Sequence, residues 1–412
     1  MRSWKTIVAT AVGAAMLLTG AAKAGDLVIN SDSSDPAPKK AWESVVYQFK
    51  KANPDINVKF NVYDHESYKK SIRNWLTSAS PDVVFWYVAT RMRQFSDAGL
   101  LEDVSSIYTD DVKKALGPVP VDLVSTGAKQ YGVPYTYYQW GLYSRADLLE
   151  KAGVKAPIAT WDDLLGACDK LKAAGIEPIV IGSKDLWPTA GWFDYIDMRL
   201  NGYDFHMQLM SGKVPYTDPK VKAVFGKWKE LLDKGCFVKN HASVSWQESQ
   251  SLLFQGKGAM MLIGNFITPN FPKDIAPSMQ FSAFPTIDPA IPDAEDAPMD
   301  SIHIPAKAKN KADAKKFLAF VLTAPVQTEI NAALLQVPVN SQASVADDRF
   351  LRQGKELLGD AKGIAQFFDR DTSEDLATIG MKGFQEFMIA PDHLDSVLAD
   401  LETARKRIYG GN

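Results

Sequence analysis

Along the chain, apolar and polar residues repeat by turns with a two-residue and a three-to-four-residue period, and the switches between them divide it into short strands and helices. From Leu27 the pattern predicts a strand over 27–30, an amphipathic helix over 38–52, a strand over 56–62, a helix over 66–77 and a short apolar run over 83–86. Residues 133–143 read as an extended aromatic stretch with a helix over 146–152 behind it, and the first crossing into a second domain falls there. That domain is predicted to open with a helix over 161–174, capped by Thr160 with Asp163 three residues on. A strand over 179–181, helices over 191–201 and 219–234, and a buried strand over 258–263 follow. Phe281 to Phe284 is the candidate return crossing, and the aperiodic, Pro/Asp-rich 285–298 reads as a surface loop. Residues 302–304 would rejoin the first sheet beneath a helix over 312–322, and the chain from 325 is helical. Strands alternating with helices in this way indicate an α/β fold with helices on both faces of the sheet.

Length and composition narrow the setting. The 412 residues are 46% hydrophobic, enough for two domain cores, and the net charge of −3 gives no basic face for nucleic acid or anionic membrane. Arg2 and Lys5 precede an apolar run over 7–18, and Ala22-Lys23-Ala24 follows it, which reads as a secretory signal peptide cut after Ala24. Residue 25 is Gly rather than Cys, so a free periplasmic protein is expected rather than a lipid-anchored one. Cys168 and Cys236 are the only cysteines. An oxidising compartment permits a bond between them, but Cys168 lies on the apolar face of its helix, and two buried free thiols are the preferred reading.

The most informative segment is 80–104, SPDVVFWYVATRMRQFSDAGLLEDV. Val83, Val84 and Phe85 read as a buried parallel strand, and Trp86 stands at its carboxyl end, where open α/β sheets bind ligands. Trp86 reads equally well as a core aromatic. Pro81, Asp82, Phe85, Trp86, Gly99, Leu100 and Leu101 make this segment resemble extracellular solute-binding protein family 1, the maltose-binding-protein-like sugar-binding proteins of bacterial ABC importers. The resemblance extends over the rest of the mature chain. It implies a type II periplasmic binding protein-like architecture, with two α/β lobes joined by a three-crossing hinge and a ligand cleft between them. The expected lobes are 25–138 plus 284–324, and 139–283 plus 325–412. The implied function is capture of a mono- or oligosaccharide by lobe closure and delivery to inner-membrane ABC permease subunits, by a monomer that needs no cofactor or metal.

Sugar sites combine flat aromatics with carboxylates, amides and guanidinium groups. By that rule and by the resemblance, the candidate ligand residues are Ser33 and Asp35 after the first strand, Trp86, Arg91 on the helix behind it, Tyr138 and Trp140 at the first crossing, Gly191 and Trp192 at a helix start, Asn265 after the 258–263 strand, and Arg370 with Asp371 in the run FFDRD. Tyr138 stands where the family has an acidic sugar ligand, so details of maltose recognition do not transfer. Trp192 fits its own helix's amphipathic face as well as a site, and Arg370 could equally form a surface ion pair. HExxH, P-loop and GxSxG motifs are absent and the five histidines lack ligand spacing. The catalytic rival is a glycoside hydrolase drawing a carboxylate pair from Asp64, Asp82, Glu248, Asp300 and Asp371. A polyamine or other small-solute binder is the remaining alternative.

Overall fold

The structure, a computed structural model, describes residues 26–78 and 80–410, so the expected signal peptide lies outside the described residues. In chain order, strands β1 (Leu27–Ser31), β2 (Val58–Val62), β3 (Val83–Tyr87) and β4 (Val133–Tyr137) begin a first sheet, and β5 (Trp140–Arg145), β6 (Glu177–Ile179), β7 (Gly258–Gly264) and β8 (Met279–Ser282) form a second. A short β9 (Glu295–Asp296) follows, then β10 (Met299–His303) and β11 (Val337–Pro338) return to the first sheet, and β12 (Ile364–Ala365) pairs with β9. The first sheet runs β11-β4-β10-β3-β1-β2, the second β8-β5-β7-β6.

Each lobe is built around one apolar core. In the first, β1, β2 and β3 are parallel, and β3, VVFWY, is buried at every position because helices cover both faces of the sheet. The helix Pro36–Ala52 turns Trp42, Val45, Val46 and Phe49 onto this core at helical spacing. Tyr68, from the helix His65–Thr77, accepts from the Phe85 backbone N–H at 2.7 Å and donates to its carbonyl at 2.8 Å, which pins β3 one residue before Trp86. In the second lobe the expected capping box forms, with Thr160 and Asp163 each accepting from the other's backbone N–H at the start of the helix Trp161–Ala173.

The chain passes between lobes three times: through Tyr138 and Gln139, through Pro298, and between Pro338 and Arg349. Gln139 is fully buried at the first passage, donating to the Phe350 carbonyl at 3.0 Å while its own carbonyl accepts from the Asn265 N–H at 2.9 Å. Gly354 makes room for it, since a Cβ there would stand 2.1 Å from the Gln139 side chain.

Four expectations are corrected. Residues 285–298 are not simply a surface loop: Glu295 and Asp296 are fully buried in the parallel β9-β12 pairing, because Arg199 and Tyr195 reach them from the helix Pro188–Asn201. The segment 281–284 is not the return crossing, since Phe281 and Phe284 pack in the second core and the passage falls at Pro298. The expected lobe boundary at 325 also shifts, because Val326, Ile330, Leu334 and Val339 pack in the first core and β11 pairs with β4. Finally, Cys168 and Cys236 form a disulfide, their Cα atoms 5.5 Å apart. Cys236 follows the helix Pro219–Asp233 directly and returns beside the buried face carrying Cys168, a proximity that sequence spacing does not reveal. Among the described residues no single helix is long and apolar enough to cross a membrane.

Candidate functional site

Between the lobes lies a cavity of about 160 Å³, at the carboxyl ends of the first sheet's parallel strands. The loop after β1 brings Asp32, Ser33 and Asp35 to it, the helix after β2 brings His65 and Lys69, and the end of β3 brings Trp86 and Tyr87. Asp300 enters from β10, whose antiparallel register sets it opposite Tyr87. The hinge contributes Tyr138 and Trp140, and the second lobe adds Trp187, Trp246, Phe266 and Phe367.

Two aromatic walls result. On the first-lobe side Trp86 stacks on Tyr87 with centroids 4.6 Å apart, and the Arg91 guanidinium lies 5.3 Å from the Trp86 ring centroid. On the opposite side Trp140 and Phe367 lie 4.5 Å apart at 33°, and Trp187 meets Trp140 edge-on at 6.0 Å. Such paired flat surfaces suit a ligand with apolar faces and polar edges. The indole N–H groups of Trp86 and Trp187 are buried without a hydrogen-bond partner within the protein.

Charge gathers at the rim of these walls. Arg370 bridges to Asp300 at 2.7 Å, donates to the Tyr138 hydroxyl at 2.9 Å and lies 4.1 Å from the Tyr87 ring centroid. Burial raises the Asp300 carboxyl, and Arg370 pulls against that rise. His65 bonds Asp32 at 2.9 Å; burial disfavours its charge, yet the bond to Asp32 and that residue's charge prevail and raise its pKa. Asp35 is raised chiefly by burial, with the Asp32 and Asp64 charges adding and His65 opposing. The cavity thus presents four carboxylates, Asp32, Asp35, Asp300 and Asp369, against Lys69, Arg370 and a histidine.

Of the residues singled out in the sequence, Ser33, Asp35, Trp86, Tyr138, Trp140 and Arg370 line the cavity. The others stand behind it. Arg91 is buried and donates to the Asp369 carbonyl at 2.7 Å. Gly191 backs Trp140, where a Cβ would come within 2.9 Å of the indole. Trp192 is core, packed edge-on against Phe237 and Phe284. Asn265 accepts from the Tyr143 hydroxyl at 2.6 Å and donates to the Leu335 carbonyl, tying the hinge. Asp371 accepts from the Gln366 N–H at 2.7 Å. Of the five carboxylates weighed for a glycosidase pair, only Asp300 reaches the cavity: Asp64 and Glu248 cap helices, Asp82 accepts from the Val28 and Asn310 N–H groups, and Asp371 is turned away. His65 and Lys69 follow the carboxyl end of β2 as Trp86 stands near that of β3, so the strand-end rule that singles out Trp86 applies to them as well. Nothing in the sequence marks Tyr135 or Trp246 for the cavity.

The sequence model of bacterial extracellular solute-binding proteins matches residues 33–328. The chain belongs to that family. Among its relatives is an uncharacterised ABC transporter extracellular-binding protein of Pyrococcus horikoshii, 26% identical over 315 residues that make up 74% of this chain and 69% of that one. Among solved structures, the bacterial solute receptor AcbH, described as having an exclusive preference for β-D-galactopyranose, superposes with a TM-score of 0.88 at 28% identity, covering 94% of this chain and all of the other. A chitin oligosaccharide binding protein shares the fold at a TM-score of 0.83 and 19% identity, over 94% of this chain and 100% of its own. The fold is therefore shared with both of these solved structures.

Proposed function

We propose that this solute-binding protein captures a neutral carbohydrate between its lobes and delivers it, chemically unchanged, to the membrane permease of an ABC importer. The observation that carries this reading is the interlobe cavity, with aromatic walls from both lobes and carboxylates among its lining residues. Pyranose C–H faces pack on tryptophan and tyrosine, and hydroxyl groups donate to carboxylates. In this reading Trp86, Tyr138, Trp140, Ser33, Asp35 and Arg370 contact the ligand, and closure couples to binding because both lobes touch it. The similarity to AcbH supports a sugar, and the volume of the cavity supports a short one. Arg370 is already matched by Asp300 and carboxylates outnumber cations, which argues against a sugar acid. Export through a signal peptide cut after Ala24, a periplasmic location and a monomeric state belong to the same proposal. The carboxylate excess also fits a second reading, a cationic polyamine.

A thermal-shift panel of neutral sugars, sugar acids and polyamines separates the two. A ligand at a hundred times its Kd adds about 2.7 kcal/mol of stability. Stabilisation by a neutral mono- or disaccharide, recovered intact by mass analysis after prolonged incubation, is the expected result. Stabilisation by polyamines alone, or conversion of the sugar, overturns the proposal.

A further inference from the structure

Phe367 carries the second-lobe aromatic wall in a backbone conformation that side-chain-bearing residues avoid. Its φ and ψ are 125° and 148°, a region almost confined to glycine, which persists elsewhere only when the surroundings over-determine it. What holds it is visible on either side. The N–H of Gln366 donates to Asp371 Oδ2 at 2.7 Å, and the N–H of Phe368 donates to Asp194 Oδ2 at 2.7 Å. The Phe367 carbonyl in turn accepts from the N–H groups of Arg370 at 2.8 Å and Asp371 at 2.9 Å, folding Asp369 and Arg370 back over the cavity.

Neither carboxylate lines that cavity. Asp194 is fully buried, its Oδ1 without a hydrogen-bond partner and 3.8 Å from His206 Nε2, while His206 Nδ1 bonds Asp197 at 2.9 Å. Burying three ionisable side chains in a row costs stability that apolar residues would not cost. A fold that accepts such a cost beside a strained, cavity-lining residue gains geometry by it, because acceptors fixed in a dry interior make strong bonds to backbone N–H groups.

We propose that Asp194, backed by His206 and Asp197, and Asp371 are positioning residues for the ligand: they touch no ligand themselves but lock Gln366–Phe368, and thereby set the Phe367 ring and the Arg370 guanidinium. This rests on the carbohydrate reading for its ligand and on nothing but the fold for its mechanics. The two parts are therefore tested separately.

The mechanical part is read without ligand, by hydrogen–deuterium exchange of the 364–372 peptide in the whole protein. Asp194→Leu, which cannot accept from Phe368, is expected to speed exchange there by about tenfold or more, whereas Asp194→Asn, which keeps an acceptor, stays within about threefold of wild type. Binding of whichever sugar the panel identifies should follow the same order, weakened about tenfold by Asp194→Leu and rescued by Asp194→Asn. A ligand-free Phe367→Gly background, where the conformation is unstrained, should shrink the exchange effect of Asp194→Leu. Unchanged exchange in Asp194→Leu, or an Asn variant as impaired as the Leu variant, overturns the proposal. Should Asp194→Leu fail to fold, Asp371→Ala is measured in its place, and wild-type exchange there overturns it equally. Altered exchange with no sugar bound by any variant would refute the carbohydrate reading and leave the positioning intact.

Discussion

Arg370, from the second lobe, meets the first lobe through Asp300 and Tyr87 and the hinge through Tyr138. Replacing it by Met keeps most of the stem and removes the fork, so affinity for a neutral sugar should fall by about 1.5–3 kcal/mol, as for hydrogen bonds to a charged group. Calorimetry at two ionic strengths checks this. Little salt dependence is expected for a neutral ligand, and wild-type affinity in Arg370→Met would exclude the residue from the site. Trp86 offered two readings in the sequence, ligand contact and core, and the structure makes them compatible: it lines the cavity yet is 5% exposed, against Tyr87, Phe95 and Arg91. Trp86→Ala is therefore expected to lower the unliganded melting temperature as well as affinity, with about 3–5 kcal/mol lost from the fold. An unchanged unliganded melting temperature would show that its packing is dispensable. Residues at strand ends and at the first crossing were legible because topology alone places them near a cleft. Asn265, Gly191 and Trp192 sit on the right elements but one layer back, and a sequence names the element without telling which side of it meets the cavity.

At the scale of elements, most strands and helices were legible, because each has the period that its burial demands. The helix Trp161–Ala173 with its capping box and the fully buried β7 stand as read. What failed was long-range. Pro and Asp in 285–298 signal a loop locally, but Glu295 and Asp296 are drawn inside by Arg199, almost a hundred residues earlier in the chain. Helix Ala324–Leu334 looks like any amphipathic helix, and it is the packing of Val326, Ile330 and Leu334 in the first core, with β11 paired to β4, that assigns it to the first lobe. The disulfide is of the same kind. It closes a separation of 68 residues in the second lobe, for which chain entropy gives about 4 kcal/mol of stabilisation. A Cys168→Ser, Cys236→Ser double variant, or the reduced protein, should lose most of that in denaturant unfolding, whereas ligand affinity should hold, since neither cysteine lines the cavity. Equal stability with and without reductant would show that the two thiols are free in solution.

For the whole molecule, the interior of the second lobe makes stability depend on pH in a particular direction. Asp296 is fully buried with neither carboxylate oxygen hydrogen-bonded, and burial pushes its pKa up to about 8 from the ordinary 3.8. His206 and Arg199 oppose that rise, while Asp371 and Glu295 add to it, and Asp194, facing the same cluster, is itself raised by burial and by Asp296. Between the two values the folded protein holds a proton that the unfolded chain has released. Stability from this group is thus complete below about pH 4 and declines as pH climbs toward 8. His206, whose pKa is raised through Asp197 despite its burial, contributes with the same sign, being charged in the folded state at pH values where the unfolded chain has lost the proton. Carboxylates held low by partners, such as the exposed Asp64 at its helix cap and the buried Glu402 beside Arg405, act oppositely and erode stability only on acidification. Across pH 5 to 8 this cluster's slope favours the acid end, against His303 and His241, whose pKa values burial lowers and whose charging in the unfolded chain favours the alkaline end. Asp296→Asn, neutral at every pH, should flatten that slope and raise the melting temperature at pH 8 more than at pH 5. A variant whose melting temperature follows the wild-type pH profile unchanged would show that Asp296 keeps its ordinary pKa and that the cluster is hydrated rather than dry.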